Sequence, residues 1–312
     1  MTPHPRRFRF GVQISKARPA GEWREAARKA AALGYDIFLM PDHFGGQFAI
    51  GPALAVVAET EPDLRIGTLV WQNDLRHPAL LAKEAYSLDV LSGGRFELGI
   101  GAGGSFPPEF DWIGVPLEPG PARVARLEEA VRILKAVAGD GPVSFEGEHY
   151  TIRDYDGHPK PVQQPYPPFH IGAGGPRMLR LAAREADIVG LLPSLGDTTT
   201  FDEREVGPEA FDDKVALLRE VAGERFDQIE LNILIQGLAV SDDRDAAIQR
   251  LKEERGFEHE QWFDSPMVFH GSVEHIVERM EAQRERYGIS YYAVFEHQID
   301  EFAPIVARLA GK

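Results

Sequence analysis

The chain has no cysteine among its 312 residues, which removes disulfides, thiolate metal ligands and a thiol nucleophile together and fits a reducing, cytoplasmic setting. It also lacks any apolar run of membrane-spanning length, and the basic start at residues 1–7 is not followed by the apolar stretch of a secretory signal. Basic residues are few: 34 lysines and arginines against 49 acids leave a formal charge of −15, with no basic stripe to act locally against it. Such a charge repels nucleic-acid phosphates and anionic lipids, so neither nucleic acid nor a membrane is an expected partner. His77, His149, His158, His170 and His297 show no i, i+4 pairing with a carboxylate, and no metal is expected.

What is present is a rhythm. Short β-branched or aromatic runs, at 9–14, 36–40, 64–70, 95–100, 168–172, 187–191, 228–235 and 290–295, alternate with segments of helical period. The helical stripes include Trp23, Ala26, Ala27 and Ala30, then Leu81, Ala85 and Leu88, and near the end Val273, Ile276, Val277 and Met280. Glycines at 34, 93, 139 and 288 stand where a left-handed residue would close each helix before the next strand. Eight strands alternating with helices, none reading as a polar edge, predict an α/β fold, a (β/α)8 TIM barrel forming one domain over residues 1–312. Segments 104–121, 143–152 and 194–208 exceed a minimal barrel and are expected as insertion loops at its C-terminal face. The second is expected as a hairpin turning at Glu146 and Gly147. The third, polar and centred on Thr198 to Thr200, reads equally as a functional lid or a solvated loop.

The chemistry-bearing residues follow the strand ends. Pro41, Asp42, His43 and Phe44 come directly after strand two, where a histidine can exchange a proton near neutral pH and an adjacent carboxylate can orient it. The same dipeptide could instead cap a turn and satisfy a backbone carbonyl. Gly172, Gly174, Gly175 and Pro176 end strand five and open a helix, a place where free N–H groups bind phosphate, or simply a tight turn. Gly99 to Gly104 match a dinucleotide-binding glycine pattern, but Phe106, Pro107 and Pro108 follow rather than a helix start, so that fingerprint is rejected. Gly101 and Gly103 are expected as wall. Trp71, after strand three, is a candidate pocket floor or a core residue. Phe44, Phe106 and Trp112 complete an expected apolar substrate pocket.

Three blocks carry a family resemblance: LRIGTLVWQNDLRHPALLAKEAYSLDVLSGGRFELGIGA at 64–102, PKPVQQPYPPFHIGAGGPRMLRLAAREAD at 159–187, and residues 271–295. Over nearly its whole length the chain resembles the luciferase-like monooxygenase family of flavin and deazaflavin oxidoreductases, and most of all its coenzyme F420-dependent branch. The resemblance implies that Asp42 and His43 border a flat redox ring, with His43 near the atom that exchanges hydride, and that Gly174 and Gly175 hold the cofactor phosphate. It implies a non-proline cis peptide at Leu69-Val70, behind the ring. Members oxidising sugar phosphates place a glutamate where this chain has Gly104, which argues against such substrates.

The expected function is hydride transfer between coenzyme F420 and a small, largely apolar molecule. One alternative is an FMN-dependent monooxygenase using molecular oxygen, since the cofactor decides the reaction class. Others are a flavin-binding barrel without turnover and a non-redox isomerase. A homodimer is compatible with the sequence.

Overall fold

The structure, a computed structural model, describes residues 6–104, 106–195 and 200–312. Eight parallel strands carry it: β1 (Arg9–Gln13), β2 (Ile37–Met40), β3 (Arg65–Thr68), β4 (Phe96–Gly101), β5 (Phe169–Ala173), β6 (Ile188–Leu191), β7 (Glu230–Leu234) and β8 (Ile289–Phe295). Each lies within or beside one of the eight runs expected from the sequence. The described residues fall into two compact units, 15–28 with 38–172, and 6–14 with 29–37 and 173–312.

In the unit built around 38–172, β3 pairs with β4 (Ile66 beside Phe96) and β4 with β5 (Leu98 beside Phe169). The helix Pro78–Leu91 follows β3, starting at a proline whose missing N–H costs nothing in a first turn, with His77 capping the N–H of Ala79. It buries Leu81, Ala85 and Leu88, and helix Gly120–Ala138 buries Leu127, Val131 and Leu134. Burying a side chain of that size contributes roughly 1.5–3 kcal/mol. Strand three stops earlier than its composition suggests: the backbone breaks at the Leu69-Val70 bond, which is cis as the resemblance implies, and resumes as the short strand Trp71–Gln72 beside β4. Strands Val143–Glu146 and Thr151–Tyr155 form the expected hairpin, its second arm reaching three residues further than 152.

In the unit built around 173–312, β1 pairs with β8, β8 with β7 and β7 with β6. Helix Val273–Tyr287 begins at Ser272, whose side chain accepts the N–H of His275, and closes at Gly288 with φ of 87°. Gly34 and Gly93 are likewise left-handed, but Gly139 is not, with φ of −72°. Its N–H bonds to Ala136 and the chain reverses two residues later at Gly141, φ 81°. The parallel strands Gly237–Val240 and Val268–Gly271, joined through helix Arg244–Arg255, were not foreseen. A short apolar run such as 268–271 between helices has no period long enough to separate it from helix-flanking loop.

Candidate active site

Pro41 ends β2 and turns the chain so that Asp42 is buried while His43 stays one-third exposed. The Asp42 carboxylate is fully engaged. Arg76 grips both oxygens, with Nη2 3.0 Å from Oδ1 and Nη1 against Oδ2, and the backbone N–H of Gln72 donates to Oδ2 at 2.9 Å. A two-pronged guanidinium contact of this kind fixes a carboxylate in position as well as in charge. Asp42 therefore ties the loop after β2 to the loop after β3, and it is not the carboxylate that orients His43.

That carboxylate is Glu109, which lies within the 104–121 insertion on the short helix Pro108–Ile113 and is only 2% exposed. Its oxygens stand 3.0 and 3.1 Å from His43 Nδ1. The backbone N–H of Phe44 donates to Oε1 at 3.0 Å and the Gln72 amide to Oε2 at 3.1 Å, so three donors hold one buried carboxylate. Gln72 is the cross-link: the same Nε2 also donates to the Asp42 carbonyl at 2.7 Å, and its Oε1 accepts the N–H of Gly104 at 3.2 Å. An ionised carboxylate can only accept, so the proton on the shared edge sits on His43 Nδ1 and Nε2 is the nitrogen left for other partners. Sequence reasoning missed Glu109 because Phe106, Pro107 and Pro108 read as not starting a helix, whereas Pro108 opens the helix Pro108–Ile113 that carries it, a first-turn position where proline's missing N–H costs nothing.

The glycine wall has a local cause at each position. A Cβ on Gly101 would stand 2.9 Å from the Val70 methyl, beside the cis peptide. Gly103 and Gly104 have φ of 77° and 79°. The Arg123 guanidinium occupies the place of a residue-104 side chain and bonds the Gly103 carbonyl. Nearby, burial pushes the Asp74 carboxyl up from its ordinary value, with Arg126 and Arg123 only partly offsetting it.

Among the expected pocket residues, Phe44, Phe106 and Trp112 are exposed by 52%, 40% and 61%, and Phe106 meets Trp112 edge to face at 5.8 Å between centroids. Trp71 is different. It is wholly buried against Phe96, with the Arg76 guanidinium 6.0 Å from its ring, so it is a core residue beneath the loop. An indole enclosed on all sides has no face left for a substrate.

In the unit built around 173–312, the turn after β5 is tied down by a residue not singled out from the sequence. Lys214, buried on helix Pro208–Ala222, donates to the Gly174 carbonyl at 2.7 Å and pairs with Glu205 at 2.6 Å. Its one sequence signal is a cation at an apolar-periodic position, three residues after Phe211 and one before Val215. Although burial raises it, the Glu205 carboxyl is held below its ordinary value by Lys214 and by the N–H of Ser194. The two glycines differ. A Cβ on Gly174 would lie 2.6 Å from the Pro193 carbonyl oxygen, whereas Gly175 has only the Ser194 hydroxyl at 3.6 Å and precedes helix Pro176–Glu185, which has no side-chain N-cap. Gly172, on β5, is half-buried. Thr198 and Thr199, at the centre of the third expected insertion, lie outside the described residues.

The chain matches the luciferase-like monooxygenase family over residues 7–307. It belongs to that family. An F420-dependent glucose-6-phosphate dehydrogenase of Nakamurella multipartita is 30% identical over 262 residues, 80% of this chain and 72% of that protein. An FMNH(2)-dependent dimethylsulfone monooxygenase of Pseudomonas putida is 29% identical over 192 residues, 57% of this chain and 51% of that one. Against two further curated relatives the chain spans about half their length, 44% and 56%. The coenzyme F420 dependent tetrahydromethanopterin reductase of Methanopyrus kandleri superposes with a TM-score of 0.78 over 98% of this chain and 99% of that one, at 19% identity. The fold is thus α/β, a (β/α)8 TIM barrel with helices between parallel strands. Among the described residues no helix is long and apolar enough to cross a membrane.

Proposed function

We propose that this protein is an F420-dependent oxidoreductase that transfers hydride between the deazaflavin and a small, largely apolar organic substrate. The observation that carries the proposal is the His43–Glu109 pair: a histidine at a strand end whose Nδ1 is held by a buried carboxylate and whose Nε2 is left unpartnered among the described residues. The F420-dependent relative supports the cofactor.

The residues fit such a group. Gly175 leaves room in front of a helix that lacks a side-chain cap, a setting suited to a phosphate, with Gly172, Gly174 and Pro176 as its neighbours. Asp42, His43, Leu69, Val70, Gly101 and Gly103 are the proposed ring contacts. When bound, the deazaflavin supplies or accepts the hydride. The chain's own part is to take up or give back a proton at His43 Nε2 and to keep that ring oriented. Glu109 fixes the tautomer, Gln72 fixes Glu109, and Arg76 fixes Asp42 beneath them. Asp42 therefore enters as a positioning residue.

Phe44, Phe106 and Trp112 offer apolar surface for the substrate. A sugar phosphate suits the site poorly, because Arg123 stands where a residue-104 carboxylate would have to be. An FMN-dependent monooxygenase is the second reading, favoured by the Pseudomonas putida relative. Titrating the purified protein with F420 and with FMN, then following reoxidation of the reduced form with and without oxygen, tests both. F420 binding with oxygen-independent reoxidation by an organic acceptor is the expected result; FMN binding alone with oxygen consumption would overturn it.

A further inference from the structure

A cavity of about 380 Å³, formed entirely by residues 208–287, lies between helix Val273–Tyr287 and the starts of helices Pro208–Ala222 and Arg244–Arg255. Its lining is cationic in a chain of net charge −15: Arg244, Arg279 and Arg286 line it together with His275, and Asp264 is the one acid of the lining. Arg286 is satisfied by Asp212, with Nε 3.0 Å from Oδ1. The other two arginines are not. Arg279 donates only to the backbone carbonyls of Phe263 and Ser265, both at the long distance of 3.3 Å, and otherwise stacks over Phe269. The Arg244 side chain is exposed and has no hydrogen bond or ion pair among the described residues. Gln283 accepts the Tyr292 hydroxyl at 3.0 Å, which leaves its amide N–H groups as donors. Asp212 and Glu209 both act on Arg286, which leaves Asp264 as the one lining carboxylate for Arg244 and Arg279.

We propose that this cavity binds a small oxyanion carrying a phosphate group or several carboxylates, held by Arg244, Arg279 and the Gln283 amide. The volume suits a metabolite rather than a lone ion, since ligand pockets of this kind begin at about 300 Å³. Guanidinium groups are matched to planar, two-oxygen contacts with phosphate and carboxylate. Burial pulls the Arg279 pKa below the ordinary arginine value, with Asp264 only partly restoring it and Arg244 lowering it further; an anion would relieve that cost. None of these residues takes part in the His43 site, so the inference is independent of the proposed activity.

Calorimetric titration of the full-length protein in a low-salt, phosphate-free buffer tests it, with inorganic phosphate in one arm and citrate in the other. Saturable binding in either arm is expected, and the arm that binds tells a phosphate ligand from a polycarboxylate. Arg244→Ala, which removes an exposed side chain without a partner in the fold, should weaken it about tenfold while leaving the thermal midpoint unchanged, and Arg279→Lys should weaken it similarly. No saturable heat in either arm would overturn the proposal. So would an affinity indifferent to Arg244→Ala, which is the result expected if phosphate binds only at Gly174 and Gly175.

Discussion

Glu109 holds His43 from 66 residues further along the chain, both carboxylate oxygens lying within 3.1 Å of one ring nitrogen. Because the acid is 2% exposed and is itself held by Gln72 and the N–H of Phe44, the imidazole is fixed in tautomer and in direction.

Replacing Glu109 by Gln keeps the shape but puts an amide where an acceptor-only group stood. With F420 as cofactor, kcat should fall by roughly 10- to 100-fold while cofactor affinity changes little. Steady-state rates over a pH series beside an F420 titration would show it, and a variant that loses cofactor affinity but keeps its turnover would contradict the assignment. Glu109→Ala should in addition cost about 1–3 kcal/mol in denaturant unfolding, because buried donors lose their acceptor.

At residue 104 the backbone itself resists a side chain. Gly104→Glu must adopt a φ of 79° and displace the Arg123 guanidinium. A loss of roughly 1–3 kcal/mol is expected, with no gain of activity on glucose 6-phosphate. Adding Arg123→Ala should recover part of the stability; equal stability of Gly104→Glu and the parent chain in urea would refute the account.

Gly174 and Gly175 should separate packing from binding. Gly174→Ala drives a Cβ against the Pro193 carbonyl and should lower the thermal midpoint. The Cβ of Gly175→Val meets nothing closer than 3.6 Å and φ there is −80°, so the variant should fold yet bind F420 at least about tenfold more weakly. Unimpaired F420 binding by Gly175→Val would remove this turn from the proposed cofactor contacts.

His270 predicts an acid sensitivity. Burial lowers its pKa, the hydrogen bond to the Phe263 carbonyl opposes the shift, and Arg279, Arg244 and His275 reinforce it. Its folded pKa therefore lies below the unfolded value of about 6.5. The stabilisation is complete above that pH and is lost as pH falls toward the folded pKa, because the unfolded chain takes up the proton first. Scanning calorimetry between pH 7 and 5 should show a midpoint that declines less steeply in His270→Gln; identical slopes would exclude the residue as the cause.

Local patterns carried a good deal of this protein. The alternation of apolar runs and helical stripes located all eight strands, since burial on both faces leaves a continuous hydrophobic signature that does not depend on distant residues. The positions of His43 and of the Gly174-Gly175 turn followed from the same count, and the break at Leu69-Val70 from family resemblance. Asp42 was read as His43's partner on adjacency alone, which the structure reverses: side chains next to each other on a turn diverge, and Arg76 claims the carboxylate.

The sequence by itself determined which elements form and where the strand ends bring polar residues, because periodicity and turn chemistry act over a few residues. Only the tertiary structure decided which carboxylate meets His43, that Arg123 closes position 104, that Trp71 is core, and that Lys214 anchors Gly174. Those are contacts between residues tens of positions apart, and nothing in either partner's local pattern encodes the other.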